Sequence, residues 1–226
     1  MSPEIIVAAT TWILPVLLAI TLHEAAHGWA AWKLGDDTAY RLGRVSANPI
    51  RHVDPIGTVV LPGMLFLSGA PFLFGWAKPV PVNFGRLRQP RRGMVLVAAA
   101  GPASNLLMAF GAALLLHLVP YTPEVMGEWT WRTLNNMILL NVLLAVVNMI
   151  PLPPLDGGRV AVGILPRPLA LPLARMERFG FVILIGGLLV LPFLLREFGI
   201  GFDPFRAVLL PVVAWVDQLI ATIAFL

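Results

Sequence analysis

Residues Ile5 to Leu34 form an apolar run long enough to cross a lipid bilayer, yet His23, Glu24 and His27 sit inside it. Apart from Pro15, nothing else interrupts the run, and no Lys or Arg precedes Lys33. With no basic start and no small-residue cleavage site at its end, the segment reads as a retained membrane helix rather than a secretory signal. An ionisable residue at the centre of a span costs about 2.5 to 3.5 kcal/mol on insertion scales, so three together require a compensating interaction. Metal coordination supplies one. The cluster reads H-E-x-x-H, and a spacing of four stacks the two imidazoles on one helix face, where they can share one Zn²⁺. Glu24, next to the first histidine, can take a proton from water at the metal and return it to a leaving amine, the chemistry of amide hydrolysis. His27 and His23 lie seven and eleven residues before Leu34, which places the chemistry roughly 10 to 17 Å inside the membrane.

The rest of the chain agrees with a membrane setting. Of 226 residues, 58% are hydrophobic and 12% charged, and the mean hydropathy is +0.82, which excludes an ordinary soluble domain. The +4 net charge and pI near 10.3 come from basic residues between apolar runs, which suits topology and not nucleic acid. Without cysteine there is no disulfide framework, thiolate metal site or cysteine nucleophile. Further runs of spanning length are Met94 to Val119, about Leu134 to Ile150, about Phe179 to Leu195, and Ala207 to Leu226.

A sixth run, Gly57 to Gly75, is dense in Gly and Pro. If it does not cross, thirteen Lys and Arg gather on one face against three on the other; if it crosses, the split is seven against nine. The bias selects a re-entrant segment, with the amino terminus outside and the basic loops cytoplasmic; such a segment must be buried in protein or line a wet cavity. Tyr40 to Asn48 and Ala77 to Phe84 read as short strands at the cytoplasmic mouth, the latter an edge strand because of Pro79 and Pro81. The expected fold is an all-α polytopic membrane protein with five to six transmembrane helices. It carries a membrane-embedded re-entrant segment and short β-strands near the cytoplasmic side, in a single domain over residues 1–226.

A catalytic zinc needs a third protein ligand and an open position. Asp156 stands out in Asn148-Met-Ile-Pro-Leu-Pro-Pro-Leu-Asp156-Gly-Gly, where three prolines break the helix and two glycines let backbone approach closely. The thirteen-to-three topology brings it out on the face toward which His23 and His27 lie. Alone, it would be an ordinary turn aspartate. Asp217, in the last apolar run, and His52, in a basic loop and expected solvated or bonded to Asp54, are competitors for the ligand role. His117 is most simply interfacial. The four serines lie in no nucleophile turn, and only Asp156 with Asp217 could attempt an aspartyl mechanism.

HEAAH in a membrane helix followed far downstream by NMIPLPPLDGG resembles the site-2 protease family of intramembrane zinc metalloproteases, and the likeness covers most of the chain. GWAKPVPVN (Gly75 to Asn83) and GPASN (Gly101 to Asn105) resemble segments of its compact bacterial branch without PDZ or CBS domains. The Gly57 to Gly75 stretch departs from shorter members. The resemblance implies one zinc per chain on His23, His27 and Asp156, Glu24 as general base, and Asn148 holding the substrate backbone. It implies a multi-pass protein of the bacterial inner membrane whose site opens toward the cytoplasm and whose substrates are membrane proteins with a transmembrane segment. An unwound substrate could add to an edge strand at the mouth. Small residues at Gly101, Ala103 and Ser104 would let the second spanning helix approach the first, with Asn105 bonding across the contact. The different-class alternative is a non-proteolytic zinc-binding membrane scaffold or transporter.

Overall fold

The computed structural model describes residues 3–61, 63, 64, 77–203 and 205–226. Three of its helices are long and apolar enough to span a membrane: α1 (Pro3–Leu34), α2 (Pro90–Leu116) and α3 (Glu124–Asn148). Shorter helices follow: α4 (Asp156–Ile164), α5 (Arg167–Arg175), α6 (Glu177–Ile185), α7 (Leu191–Glu197) and α8 (Leu210–Ile223).

Five expected spans therefore become three among the described residues. The run Phe179 to Leu195 is not one helix: α6 passes through wider turns at Gly186–Val190 before α7, where two glycines and Pro192 weaken a continuous ladder. The last run supports helix over Ala207–Ile223, whose 17 residues rise about 25 Å against a hydrocarbon core of about 30 Å. Hydropathy alone counts such residues as spanning because it ignores where the ladder breaks.

The long helices run up, down and up. At one end the Leu34 carbonyl accepts from the Arg88 amide at 3.0 Å, so chain leaving α1 returns to α2 at the same end. The re-entrant segment itself lies for the most part outside the described residues. We call this the basic end, since Lys33, Arg41, Arg44, Lys78 and Arg86 to Arg92 flank it. At the opposite end His117 Nε2 donates to the Ala224 carbonyl at 2.7 Å and Trp129 Nε1 to Thr10 Oγ1 at 2.9 Å. His117 is therefore a tie between α2 and the carboxyl terminus.

Lipid offers helices no hydrophobic gain for meeting one another, so close approach and polar contacts must hold them. Ala109, Ala112 and Ala113 of α2 supply the approach, packing with Met137, Ile138 and Val142 of α3 and Val213 and Ile220 of α8. Large apolar side chains such as Ile13, Leu107 and Leu139 face outward, as a lipid-covered surface requires. Pro15 has no amide to bond the Thr11 carbonyl; Asn136 Nδ2 reaches that carbonyl at 3.4 Å and Thr11 Oγ1 at 2.9 Å.

The expected short strands are absent among the described residues. Thr38–Arg41 form one helical turn, and residues 42–48 are turns and bends. Residues 77–83 are irregular and pair with no strand, because Pro79 and Pro81 have no amide and two of the remaining donors go to carboxylates. One of these is Asp36. Gly35, at φ +116°, closes α1: its amide bonds the Trp32 carbonyl and the next amide bonds Ala31, turning Asp36 inward. There one carboxylate oxygen accepts from the Thr38 hydroxyl at 2.5 Å and the other from the Asn83 amide at 2.6 Å. Burial pushes this carboxyl up, but the Thr38 hydroxyl and the Asn83 and Thr38 amides outweigh it and hold its pKa below the ordinary value.

A carboxyl with a depressed pKa contributes stability above its unfolded pKa, and this is lost as pH falls through the folded one. Asp36→Asn is accordingly expected to lower stability by about 1 to 2 kcal/mol near neutral pH, with the gap to wild type closing below about pH 4. Thermal unfolding in detergent across pH measures it; a gap that does not change with pH would refute the assignment.

Candidate metal centre

His23 and His27 face α2 across the α1–α2 contact, and each is gripped through Nδ1. His23 Nδ1 lies 2.6 Å from Asn105 Oδ1, and His27 Nδ1 lies 2.7 Å from the Val97 carbonyl. Both partners can only accept, so in the neutral rings each Nδ1 carries the proton and each Nε2 presents a lone pair. The Asn105 orientation is fixed from its other side, where Nδ2 donates to Asn141 Oδ1 at 2.7 Å and to the Ala19 carbonyl at 3.3 Å. Gly101 makes the approach feasible: a Cβ there would lie 2.4 Å from His27 Nε2 and 2.6 Å from His23 Cε1.

Asp156 arrives at the first residue of α4, outside the three long helices. The turn that aims it has no room for side chains at the next two positions. A Cβ at Gly157 would meet the Met149 carbonyl oxygen, and one at Gly158 the Pro153 nitrogen, each at 2.2 Å.

The two Nε2 atoms are 3.0 Å apart, and Asp156 Oδ2 lies 3.2 Å from one and 3.3 Å from the other. Oδ2 is buried and makes no hydrogen bond of acceptable geometry. Two lone pairs and an anionic oxygen thus face one another with no proton between them, an arrangement that a cation relieves. A tetrahedral zinc with bonds of about 2.0 to 2.1 Å has ligand–ligand edges of about 3.3 to 3.4 Å, close to the three distances found. His23, His27 and Asp156 are the one such group of His, Cys or carboxylate side chains among the described residues.

Glu24 and Asn148 line the same cavity, of about 280 Å³. Glu24 Oε2 accepts from the Val80 amide at 2.7 Å, so residues 77–83 cross the mouth directly over the acid. Asn148 Nδ2 donates to the Leu144 carbonyl one turn back at 3.0 Å. The competitors for the ligand role stand elsewhere. Asp217 lines a cavity with Asn135 and Asn136 toward the opposite end. His52 is buried, not solvated, and its Nε2 bonds the Ser46 carbonyl at 2.9 Å. Asp54 is not its partner; that carboxylate caps the Ile56 and Gly57 amides.

Sequence reasoning gave Asn105 only an inter-helix role and missed its bond to His23. A signal existed: Val97, Gly101 and Asn105 repeat at the four-residue spacing of the histidine pair, as two antiparallel helices in contact require. Asn105→Leu should weaken zinc binding about 10- to 100-fold while leaving the protein folded. Competition with a zinc chelator, beside a melting curve, tests this; unchanged affinity would deny Asn105 a part in the site.

Residues 123–191 match the family model for peptidase family M50. Over 177 residues the chain is 37% identical to YwhC of Bacillus subtilis (strain 168), a protein named as a zinc metalloprotease, covering 76% of this chain and 77% of that one. It is 30% identical over 182 residues to Rip2 of Mycolicibacterium smegmatis, likewise named as a zinc metalloprotease, covering 80% of this chain and 67% of the relative. No solved structure matches.

Proposed function

The chain belongs to peptidase family M50, the site-2 protease family of zinc metalloproteases, and from that premise we propose that it cuts membrane proteins within or next to their membrane-spanning segments. The observation that carries the reading is the meeting of His23, His27 and Asp156 on the cavity that also holds Glu24. In this reading those three residues hold one zinc ion per chain. Zinc supplies Lewis-acid polarisation of the scissile carbonyl and lowers the pKa of coordinated water toward about 7. Glu24 moves the proton: the Val80 amide fixes Oε2, leaving Oε1 to take a proton from water and pass it to the departing amine.

Such a protein is a membrane protein of the bacterial inner membrane, with the amino terminus outside and the cavity opening to the cytoplasm. The positive-inside bias supports this orientation, since the basic loops gather at the end toward which the site opens. A substrate helix has its backbone bonded internally and must unwind before attack. Two neighbours of the cavity suit an unwound segment. The Val80 carbonyl and Val82 amide make no backbone hydrogen bond among the described residues, and Asn148 keeps its carbonyl oxygen and one amide hydrogen beyond its bond to Leu144. Regulated intramembrane proteolysis is the biological setting this chemistry fits.

Glu24→Gln should retain zinc and lose about 10²- to 10⁴-fold in cleavage of a membrane-embedded reporter. Asp156→Ala should instead lose metal, and chelation of the wild type should stop cleavage until zinc is returned. Metal analysis beside the cleavage assay reads all three. A zinc-binding scaffold would have no cleavage to lose, and full occupancy in Asp156→Ala would remove that residue from the ligand set. Reporters with Gly or Pro near the cut site should be cleaved faster than uniformly helical ones.

A further inference from the structure

A row of two cavities lies along α2, α3 and α8. Its near part is an apolar cavity of about 360 Å³ lined by Pro102, Met149 and Val212. Pro102 follows Gly101, which abuts both imidazoles, and Met149 follows Asn148 on the wall of the metal cavity. Its far part is a cavity of about 450 Å³ lined by Asn135, Asn136 and Asp217.

The polar groups there are one-sided. Asn135 Nδ2 donates to the Trp131 carbonyl at 2.8 Å and keeps its oxygen and one amide hydrogen, while Asn136 Nδ2 reaches Thr11 Oγ1 at 2.9 Å and the Thr11 carbonyl at 3.4 Å and keeps its oxygen. Asp217 is exposed in an otherwise apolar helix and makes no hydrogen bond or ion pair among the described residues. No basic residue lines the cavity, and Arg132 is held by Glu128 at 2.5 Å. An unpaired carboxylate in an apolar helix is costly in lipid, and one with no cation around it is complemented by a cation carrying N–H donors. The cavity is many times the volume of a bare ion and suits a side chain.

We propose that Asp217, with the carbonyl oxygens of Asn135 and Asn136, binds a Lys or Arg side chain in the membrane-spanning segment of the substrate and so selects which segments are cut. The inference rests on the proteolytic reading above. A register follows from α1. Thr11, bonded to Asn136, lies 12 residues from His23 and 16 from His27, about 18 to 24 Å along the helix. A substrate helix lying along this row parallel to α1 therefore presents its basic residue about 12 to 16 residues from the scissile bond, with an apolar stretch between.

The test uses full-length, zinc-loaded protein in liposomes and single-span reporters bearing Lys, Leu or Glu about 14 residues from the cut, on the side of the opposite end. Wild type is expected to cut the Lys reporter about tenfold faster than the Leu reporter in kcat/KM; Asp217→Asn should bring the ratio near one, and Asp217→Lys should turn the preference to Glu. The Glu24→Gln protein should show the same order in reporter Kd without cleavage. Equal handling of Lys and Leu reporters by wild type, or a Lys preference that survives Asp217→Asn, overturns the proposal. If wild type cuts no reporter, the proteolytic reading falls, and the Kd comparison still decides whether Asp217 binds a cationic side chain.

Discussion

Two imidazole lone pairs and a carboxylate oxygen, all within 3.3 Å of one another inside a membrane-spanning bundle, repel each other unless a cation lies among them. The structure around them answers that demand. A proton on either Nε2 would satisfy only one pair, whereas the Nδ1 acceptors on α2 keep both Nε2 atoms as electron donors. Gly101 lets the rings sit between helices, and Gly157 and Gly158 let the acid reach them past backbone. Two features are costly in lipid by themselves, the break between α3 and α4 and the buried charge. A metal ion held by the three side chains would relieve them together.

What local pattern encodes was legible in the sequence. His23, Glu24 and His27 need one helix and its period; Asp156 needs the Pro and Gly residues that break α3 from α4. What depends on the register of two helices was not. The partner of His23 is 82 residues away, and the four-residue repeat of Val97, Gly101 and Asn105 becomes a signal only once α2 is known to lie antiparallel against α1. Strand alternation misled for a related reason. Residues 77–83 have strand-like spacing, but Glu24 and Asp36 capture the amides of Val80 and Asn83, and a captured amide cannot join a ladder.

That capture also connects stability at the mouth with chemistry below it. The same seven residues are tied at one end to Asp36, just beyond α1, at the middle to Glu24 on α1, and near the start to Arg44, whose guanidinium donates to the Lys78 carbonyl at 2.6 Å. The segment is thus fixed to α1 rather than to a sheet. The Glu24 carboxylate thereby has one oxygen pinned by the Val80 amide and one available in the cavity it shares with His23, His27 and Asp156.

The asparagines of α3 show how an apolar bundle places polar groups only where something else requires them. Asn136 covers the carbonyl region that Pro15 leaves without an amide donor; Asn141 braces Asn105, which holds His23; Asn148 borders the metal cavity. These residues are five and seven apart along one helix, so α3 carries a sequence of polar contacts from the opposite end of the bundle to the metal site. In lipid, where an amide side chain without a partner is costly, each of these is held by a specific bond to α1, to α2 or to its own preceding turn. Asp217 is the exception on the helix packed beside them. It is an exposed acid in an apolar helix, it makes no bond among the described residues, and it lines a cavity with Asn135 and Asn136. By the same rule that explains the asparagines, its partner is to be sought in another molecule.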